Sequence, residues 1–346
     1  MSASGLHWHV VYSWVAVSLC TGVFSYFACI GALKLAEKSG MIAHPGERQS
    51  HQRATPTGGG LGLIFSIVIT TLCLELILSL PDFWWQNVLP GVLLLTVVGW
   101  RDDRISVSSL LRLSIQLAVS IWLIGFGWLE FSVKDMVLFA GTALAMVSLM
   151  NIYNFMDGSN GMAAFQGVFA AVIMAVFFQA GGDYAMALVA LAVAAACAGF
   201  LPLNFPDARV FMGDVSSVPL GFIFAAFAIY GLRTGSLSIL ISILIMSVFL
   251  IDASLTLLSR VIRGERWYTA HAQHVYQRLI ALGWSHRRVL VVYQAINVIL
   301  VLPAIVLVKT YPQYAIATVA FTFLLLGTCW HIANRRLGMT AEVQVK

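Results

Sequence analysis

Charge is scarce in this sequence. Only 10% of its 346 residues are Asp, Glu, Lys or Arg, 60% are hydrophobic, and mean hydropathy is +0.88. Soluble domains are about one quarter charged. So little polar surface cannot be wetted on all sides, and lipid is the expected solvent. Also missing is any gap between apolar runs long enough for a soluble domain, so the usual expectation of about two domains at this length does not apply. No internal repeat or low-complexity segment is present. Cysteine is sparse. Cys20, Cys29, Cys73, Cys197 and Cys329 all lie inside apolar runs without a CxxC. That excludes a disulfide framework and a thiolate metal site, leaving small packed residues. No basic segment precedes the first apolar run, which is longer than a signal-peptide core and reads as a retained helix.

What is present is a series of apolar spans, near 10–33, 61–80, 88–100, 108–126, 135–151, 162–180, 184–203, 215–231, 236–258, 288–308 and 313–332. Most approach the ~20 residues that a bilayer-crossing helix needs. The third is short and can borrow residues from Phe83 onward. The fold class expected is an all-α polytopic membrane protein with about eleven crossings, forming a single transmembrane domain over residues 1–346. Net charge is +5, and in such a protein the surplus belongs in cytoplasmic loops and not on nucleic acid. With the N-terminus outside, 17 of the 20 Lys and Arg fall on inside segments; only Lys134, Arg233 and Lys309 fall outside. The expected orientation is therefore N-terminus outside, C-terminus cytoplasmic.

The inside segments, about 34–60, 101–107, 151–161, 204–215 and 259–287, hold the polar chemistry. In the first, Gly58, Gly59 and Gly60 stand where a loop becomes a helix, and backbone N–H groups there can face an anion; a flexible helix start is the bland alternative. In the second, Asp102 and Asp103 are adjacent carboxylates, readily kept ionised by Mg²⁺, or simply a turn neutralised by Arg101 and Arg104. In the third, Asn151, Asn154 and Asp157 recur every three residues and share a helix face if the span continues to Asp157, with Asn160 just beyond. Polar residues stacked on a membrane helix are functional by default. The fourth contains Asn204, Phe211 and Asp214, the last at a helix start, where a carboxylate can also be a plain cap. In the fifth, His271, His274 and Arg278 fit one face of a short amphipathic helix. No third ligand accompanies the histidines, so a cationic phosphate-binding face is expected in preference to zinc. Asp252, inside the ninth span, is expected to pair with Arg260 or another inside residue, and Glu75 to lie near the outer interface. Separated acidic sites with a basic fringe suit phosphoryl transfer.

Taken in order, Arg48-Gln-Ser-His51 with Thr55-Pro-Thr-Gly-Gly-Gly60, Asp102-Asp103, Asn151-xx-Asn154-xx-Asp157-Gly-xx-Gly161, Phe211-Met-Gly-Asp214 and His271-xx-His274 resemble the polyprenyl-phosphate N-acetylhexosamine-1-phosphate transferases, within glycosyl transferase family 4. The resemblance covers roughly residues 44–278. It implies transfer of N-acetylhexosamine 1-phosphate from a UDP-sugar to undecaprenyl phosphate in the bilayer, with release of UMP. It implies Mg²⁺ as cofactor, with Mn²⁺ as a substitute, and leaves room for a homodimer. By motif, Asp214 resembles the metal ligand, and Asp102 and Asp103 the catalytic pair beside the lipid phosphate. Asn151, Asn154, Asp157, Asn160, Asn204 and Phe211 would contact nucleoside and sugar. Arg53, His271, His274 and Arg278 would hold phosphates. The peptidoglycan branch has a lysine in the first loop and three consecutive histidines in the last; here stand Arg53 and the spaced His271 and His274. The branch expected is therefore the one that begins O-antigen or other surface polysaccharides at the bacterial inner membrane, with muramoyl-pentapeptide transfer as the alternative.

The rival from another class is a secondary transporter. It would place its site near mid-membrane on broken helices and would need Glu75 or Asp252 to govern movement. The charge asymmetry makes a direct prediction. In a cysteine-free background, Gln313→Cys is expected to react with a membrane-impermeant maleimide applied to intact cells. Arg209→Cys should react only after permeabilisation. The reverse pattern would invert the topology.

Overall fold

The structure is a computed structural model that describes residues 3–43, 54–125, 133–266 and 271–344. His44, Arg48, His51 and Arg53 lie outside the described residues. The helices, in chain order, are α1 Ala3–Lys38, α2 Gly60–Leu78, α3 Leu89–Asp102, α4 Ser109–Gly125, α5 Val133–Phe155, α6 Met162–Ala180, α7 Tyr184–Asn204, α8 Asp214–Thr234, α9 Ile239–Ile245, α10 Ser247–Ile262, α11 Val275–Ala281, α12 His286–Ile296, α13 Leu302–Thr310 and α14 Ala315–Gln344. Among the described residues, the sheet is one antiparallel pair of two-residue strands, β1 Ile42–Ala43 and β2 Thr55–Pro56.

Among the described residues, nine helices are long and apolar enough to cross a membrane. The third does borrow its N-terminal turn: a π-helical turn, Phe83–Val88, precedes α3 and brings the span to 20 residues. A similar turn, Asn297–Val301, joins α12 to α13. The expected count of about eleven is reached only if two further segments cross. One is α4, whose 17 residues rise ~26 Å against a hydrocarbon core of ~30 Å. The other is the expected ninth span, which is not one helix. It breaks at Met246 into α9 and α10, bent by 74°. Breaking a helix in lipid frees backbone groups that must be satisfied by protein. Here the Gln166 side-chain amide donates to the Ile245 carbonyl at 2.8 Å, and Asn297 donates to the Gln166 oxygen at 2.7 Å.

Lipid supplies no hydrophobic drive between helices, so they associate by close packing of small residues. α8 is the central helix, with 89% of its apolar window buried, whereas α1 and α14 have 22% buried and face outward. Backbones meet at glycines. A Cβ on Gly62 of α2 would stand 2.4 Å from the Ala28 carbonyl carbon of α1, and one on Gly199 of α7 would stand 2.2 Å from the Gly22 oxygen. Around α8, a Cβ on Gly221 would stand 2.7 Å from the Met150 Cα of α5, and one on Gly99 of α3 would stand 2.3 Å from the Asp214 carbonyl. These contacts bring the ends of α3, α5 and α8 together.

Gly59 and Gly60 do not hold their N–H groups out to an anion. They donate to Phe211 O at 3.0 Å and Met212 O at 3.1 Å. A Cβ on either would strike Val210 or Ser216, so this corner is fixed by close approach. Glu75 sits near the end of α2, accepting from Leu80 N at 2.6 Å and Trp85 Nε1 at 2.7 Å.

Packing by glycine can be checked with a matched pair. Gly99→Ala is expected to lower the thermal midpoint of the detergent-solubilised protein by the equivalent of about 1–3 kcal/mol of overpacking. Gly31→Ala, where nothing lies within 4 Å, should leave it unchanged or raise it.

Candidate active site

Four carboxylates and one guanidinium meet where α3, α4, α5 and α8 end or begin. The arrangement starts from a missing side chain. Gly213, just before α8, has φ 77°, and its Cβ would stand 2.4 Å from Asp103 Oδ2. Glycine is therefore required there, but it cannot cap the helix. Asp103, immediately after α3, does so from outside. Its Oδ1 accepts from Asp214 N at 3.0 Å and its Oδ2 from Val215 N at 3.1 Å. A carboxylate at a helix N-terminus satisfies otherwise orphaned donors and complements the dipole.

Asp214 is thereby held at the mouth of α8. Its Oδ1 accepts from Asn154 Nδ2 at 2.7 Å, and its Oδ2 from Arg112 Nη1 at 3.1 Å. Arg112 Nη1 also reaches Asp102 Oδ2 at 2.7 Å, so one guanidinium nitrogen bridges two carboxylates. Asp102 Oδ1 accepts from Val107 N at 2.6 Å, which fixes the turn into α4. Asn154 donates a second bond to Ser217 Oγ at 2.8 Å. Asp157 completes the group and is hydrogen-bonded to the backbone of Gly213.

The electrostatics follow from crowding. Burial, then the Asp214 charge, pushes the Asp103 carboxyl up to about 7, against the pull of its two backbone donors. Burial, followed by Asp214 and Asp103, holds Asp157 well above the usual carboxylate range. Among the described residues, four carboxyl groups face one arginine, and ionising them together would leave an excess of negative charge. Among the described residues, no three His, Cys, Asp or Glu side chains stand close enough to hold a metal by themselves. Mg²⁺ does not require three, since it keeps waters and takes one or two carboxylates together with substrate phosphates. The all-oxygen donor set and the surplus charge fit such an ion, with Asp214 and Asp102 as the carboxylates that already share a cation.

Asp102, Asp103, Asn154, Asp157 and Asp214 thus form one cluster. Asn151 lies one turn deeper and donates to Gln116 Oε1 at 2.6 Å. Asn160 donates to Pro206 O at 2.9 Å, and Asn204 accepts from Gly161 N at 2.7 Å, so both tie the α5–α6 turn to the α7–α8 loop. The Phe211 backbone is held by Pro56 O at 2.8 Å, leaving its ring partly exposed. The fifth segment differs from expectation. α11 begins at Val275, so His271 lies before the helix and His274 caps it. Their rings are 4.9 Å apart. Burial, then the neighbouring His274 and Arg260, brings His271 down to about 4, and burial lowers His274 as well. Both shifts favour the uncharged imidazoles, which can donate and accept hydrogen bonds. Arg278 hydrogen-bonds Asn334 of α14. Arg112 and Ser217 were not singled out from the sequence. The available signal for Arg112 was a lone arginine in the first turn of an apolar helix.

The family profile of glycosyl transferase family 4 matches residues 85–232. A decaprenyl-phosphate N-acetylglucosaminephosphotransferase of Mycobacterium tuberculosis is 30% identical over 322 residues, covering 82% of this chain and 80% of its own. An undecaprenyl-phosphate alpha-N-acetylglucosaminyl 1-phosphate transferase of Escherichia coli is 27% identical, covering 80% and 78%. A phospho-N-acetylmuramoyl-pentapeptide-transferase of Halalkalibacterium halodurans is 30% identical, covering 75% and 86%.

The raised Asp103 pKa carries a sign. The folded state binds more protons than the unfolded one between about 4 and about 7, so this group's stabilisation is present at the acid end and lost as pH rises. In metal-free detergent solution, the thermal midpoint of the wild type should fall across that window relative to Asp103→Asn. Parallel curves would contradict the assignment.

Proposed function

The chain belongs to glycosyl transferase family 4, and from that footing we propose that it transfers N-acetylhexosamine 1-phosphate from a UDP-sugar to undecaprenyl phosphate, on the cytoplasmic face of a bacterial inner membrane. The observation that carries this reading is the Asp102–Arg112–Asp214–Asn154 constellation beside the Asp103-capped start of α8. An oxygen of the lipid phosphate forms a bond to the β-phosphorus of the donor. The bond from that phosphorus to the bridging oxygen breaks, and UMP leaves with the electron pair.

Bound Mg²⁺ would supply neutralisation of the diphosphate charge. The remaining work falls to the chain. Asp103 has both oxygens committed to the α8 backbone, so it keeps Asp214 in place. Asp102 has one oxygen held by Val107 N, but its Oδ2 faces the half-exposed Arg112, and once that side chain turns away this oxygen can accept the proton of the attacking phosphate. Arg112 is half-exposed and can turn from the carboxylates to the charge developing on phosphate oxygens. The His271/His274 segment offers neutral hydrogen-bond donors to the donor's phosphates or nucleoside. Initiation of O-antigen or another surface polysaccharide is the role that suits this product. UDP-N-acetylglucosamine is the first donor to try, because two of the three relatives above are named for N-acetylglucosamine.

Purified protein with undecaprenyl phosphate, Mg²⁺ and a panel of UDP-N-acetylhexosamines is expected to release UMP with one donor and to stop when metal is chelated. Asp102→Asn and Asp214→Asn, at normal membrane levels, should each lower turnover by about 10²-fold or more, as expected for groups that act on developing charge. Full activity in either variant would remove its assigned role. Turnover only with the UDP-muramoyl-pentapeptide would move the protein to the peptidoglycan reaction.

A further inference from the structure

Asp252 lies on α10, in the second turn after the break, and is 3% exposed. A carboxylate at that depth in a membrane helix is costly unless it is paired. Its strongest partners come from other elements. Oδ2 accepts from Tyr293 Oη of α12 at 2.6 Å, and Oδ1 accepts from Val275 N, the first residue of α11, at 3.0 Å. Trp330 Nε1 of α14 reaches Oδ1 at 3.3 Å. Arg260 is not among them; it pairs with Glu265 at 3.2 Å. The buried His274 ring turns Nδ1 toward the same carboxylate, 4.0 Å from Oδ1, and that nitrogen has no hydrogen-bond partner among the described residues.

One residue further on, Tyr276 connects this anchor to the acidic cluster. Its hydroxyl donates to Phe155 O at the end of α5 at 2.8 Å, two residues before Asp157. The fit is tight, since a Cβ on Gly158 would stand 2.1 Å from that hydroxyl. The His274 ring is stacked with both Phe155 and Tyr276, with centroids 6.1 and 5.9 Å away. Any shift of the first turn of α11 therefore moves His274 relative to Asp157, and with it the His271 ring packed 4.9 Å away.

We propose that Asp252 is a positioning residue for the reaction: it fixes the first turn of α11, and with it His274 and His271, against the end of α5 that carries Asp157. The proposal rests on the transferase reading above. It also gives the broken ninth span a purpose. A helix running straight through Met246 would carry Asp252 away from α11.

The cleanest test removes one hydrogen bond. Val275 is the first residue of α11, where proline is well tolerated, and His274 has φ −60° and ψ 149°, a conformation that accepts a following proline. Val275→Pro deletes the N–H that Asp252 accepts and leaves the carboxylate in place. Val275→Pro and Asp252→Ala are expected to speed amide exchange in 271–281 by tenfold or more while exchange in 210–216 stays unchanged. Each should lower kcat/KM for the UDP-sugar about 10- to 100-fold, the scale of a small misplacement of positioning groups. Asp252→Asn keeps an oxygen for Val275 N–H and should fall between Asp252→Ala and wild type. Unchanged exchange in Val275→Pro, with wild type active, overturns the proposal alone, as does faster exchange with unaltered kinetics. A folded wild type that releases no UMP from any donor overturns the transferase reading and this proposal with it.

Discussion

The carboxylate of Asp103 on the first two N–H groups of α8 is the contact on which the site depends. α8 is the central helix of the bundle, and Gly213 leaves its start without a side-chain cap of its own. By reaching across from α3, Asp103 satisfies the orphaned donors and fixes the distance between two helix ends. Because Asp102 precedes Asp103 and Asp214 opens α8, the same contact sets two further carboxylates near one another. Arg112 and Asn154 then have one geometry in which to bind them. The cap is worth about 1 kcal/mol as an isolated interaction. Its larger consequence is placement.

That placement is electrostatically unfavourable in the free protein. Burial and mutual repulsion raise Asp103 to about 7 and raise Asp157 as well. Strain of this kind is stored where function needs it and is held by the surrounding structure. Here the surroundings are helices packed through glycine, where backbones touch and cannot drift apart to relieve the repulsion. A cation or a charge-bearing ligand that relieves it would bind with that relief as part of its affinity. Lipid as solvent and the acidic cluster are therefore parts of one design. The bundle is close-packed because lipid does not drive helices together, and its rigidity is what keeps the carboxylates in company.

Most of the helices and the membership of the acidic cluster were legible in the sequence. Long apolar runs are unambiguous in a chain with so little charge, and polar residues spaced three apart on such a run have few structural excuses. Asn154 was found that way; Asp157 was singled out by the same spacing, although α5 ends at Phe155 and Asp157 stands just past it. The break at Met246 was not legible, because neither proline nor glycine marks it; its stabiliser is Gln166, eighty residues earlier in the chain. Of the two readings open for Gly59 and Gly60, the anion-facing one fails because sequence shows that a glycine can expose its N–H, not that Phe211 and Met212 take it. The histidines were placed on a helix by spacing alone, whereas the helix starts only where Asp252 accepts the Val275 N–H. Each miss involves a partner distant in sequence, which local pattern cannot carry.

In the proposed reaction the β-phosphorus of a UDP-sugar passes to the lipid. UDP-N-acetylglucosamine carrying ³²P at the β-position, incubated with the purified protein, Mg²⁺ and undecaprenyl phosphate, measures that passage directly. Label is expected to move into the solvent-extractable lipid while the released UMP is unlabelled. Label retained in water-soluble UDP, with sugar alone on the lipid, would show an ordinary glycosyl transfer and contradict the roles given to Asp102, Arg112 and Asp214.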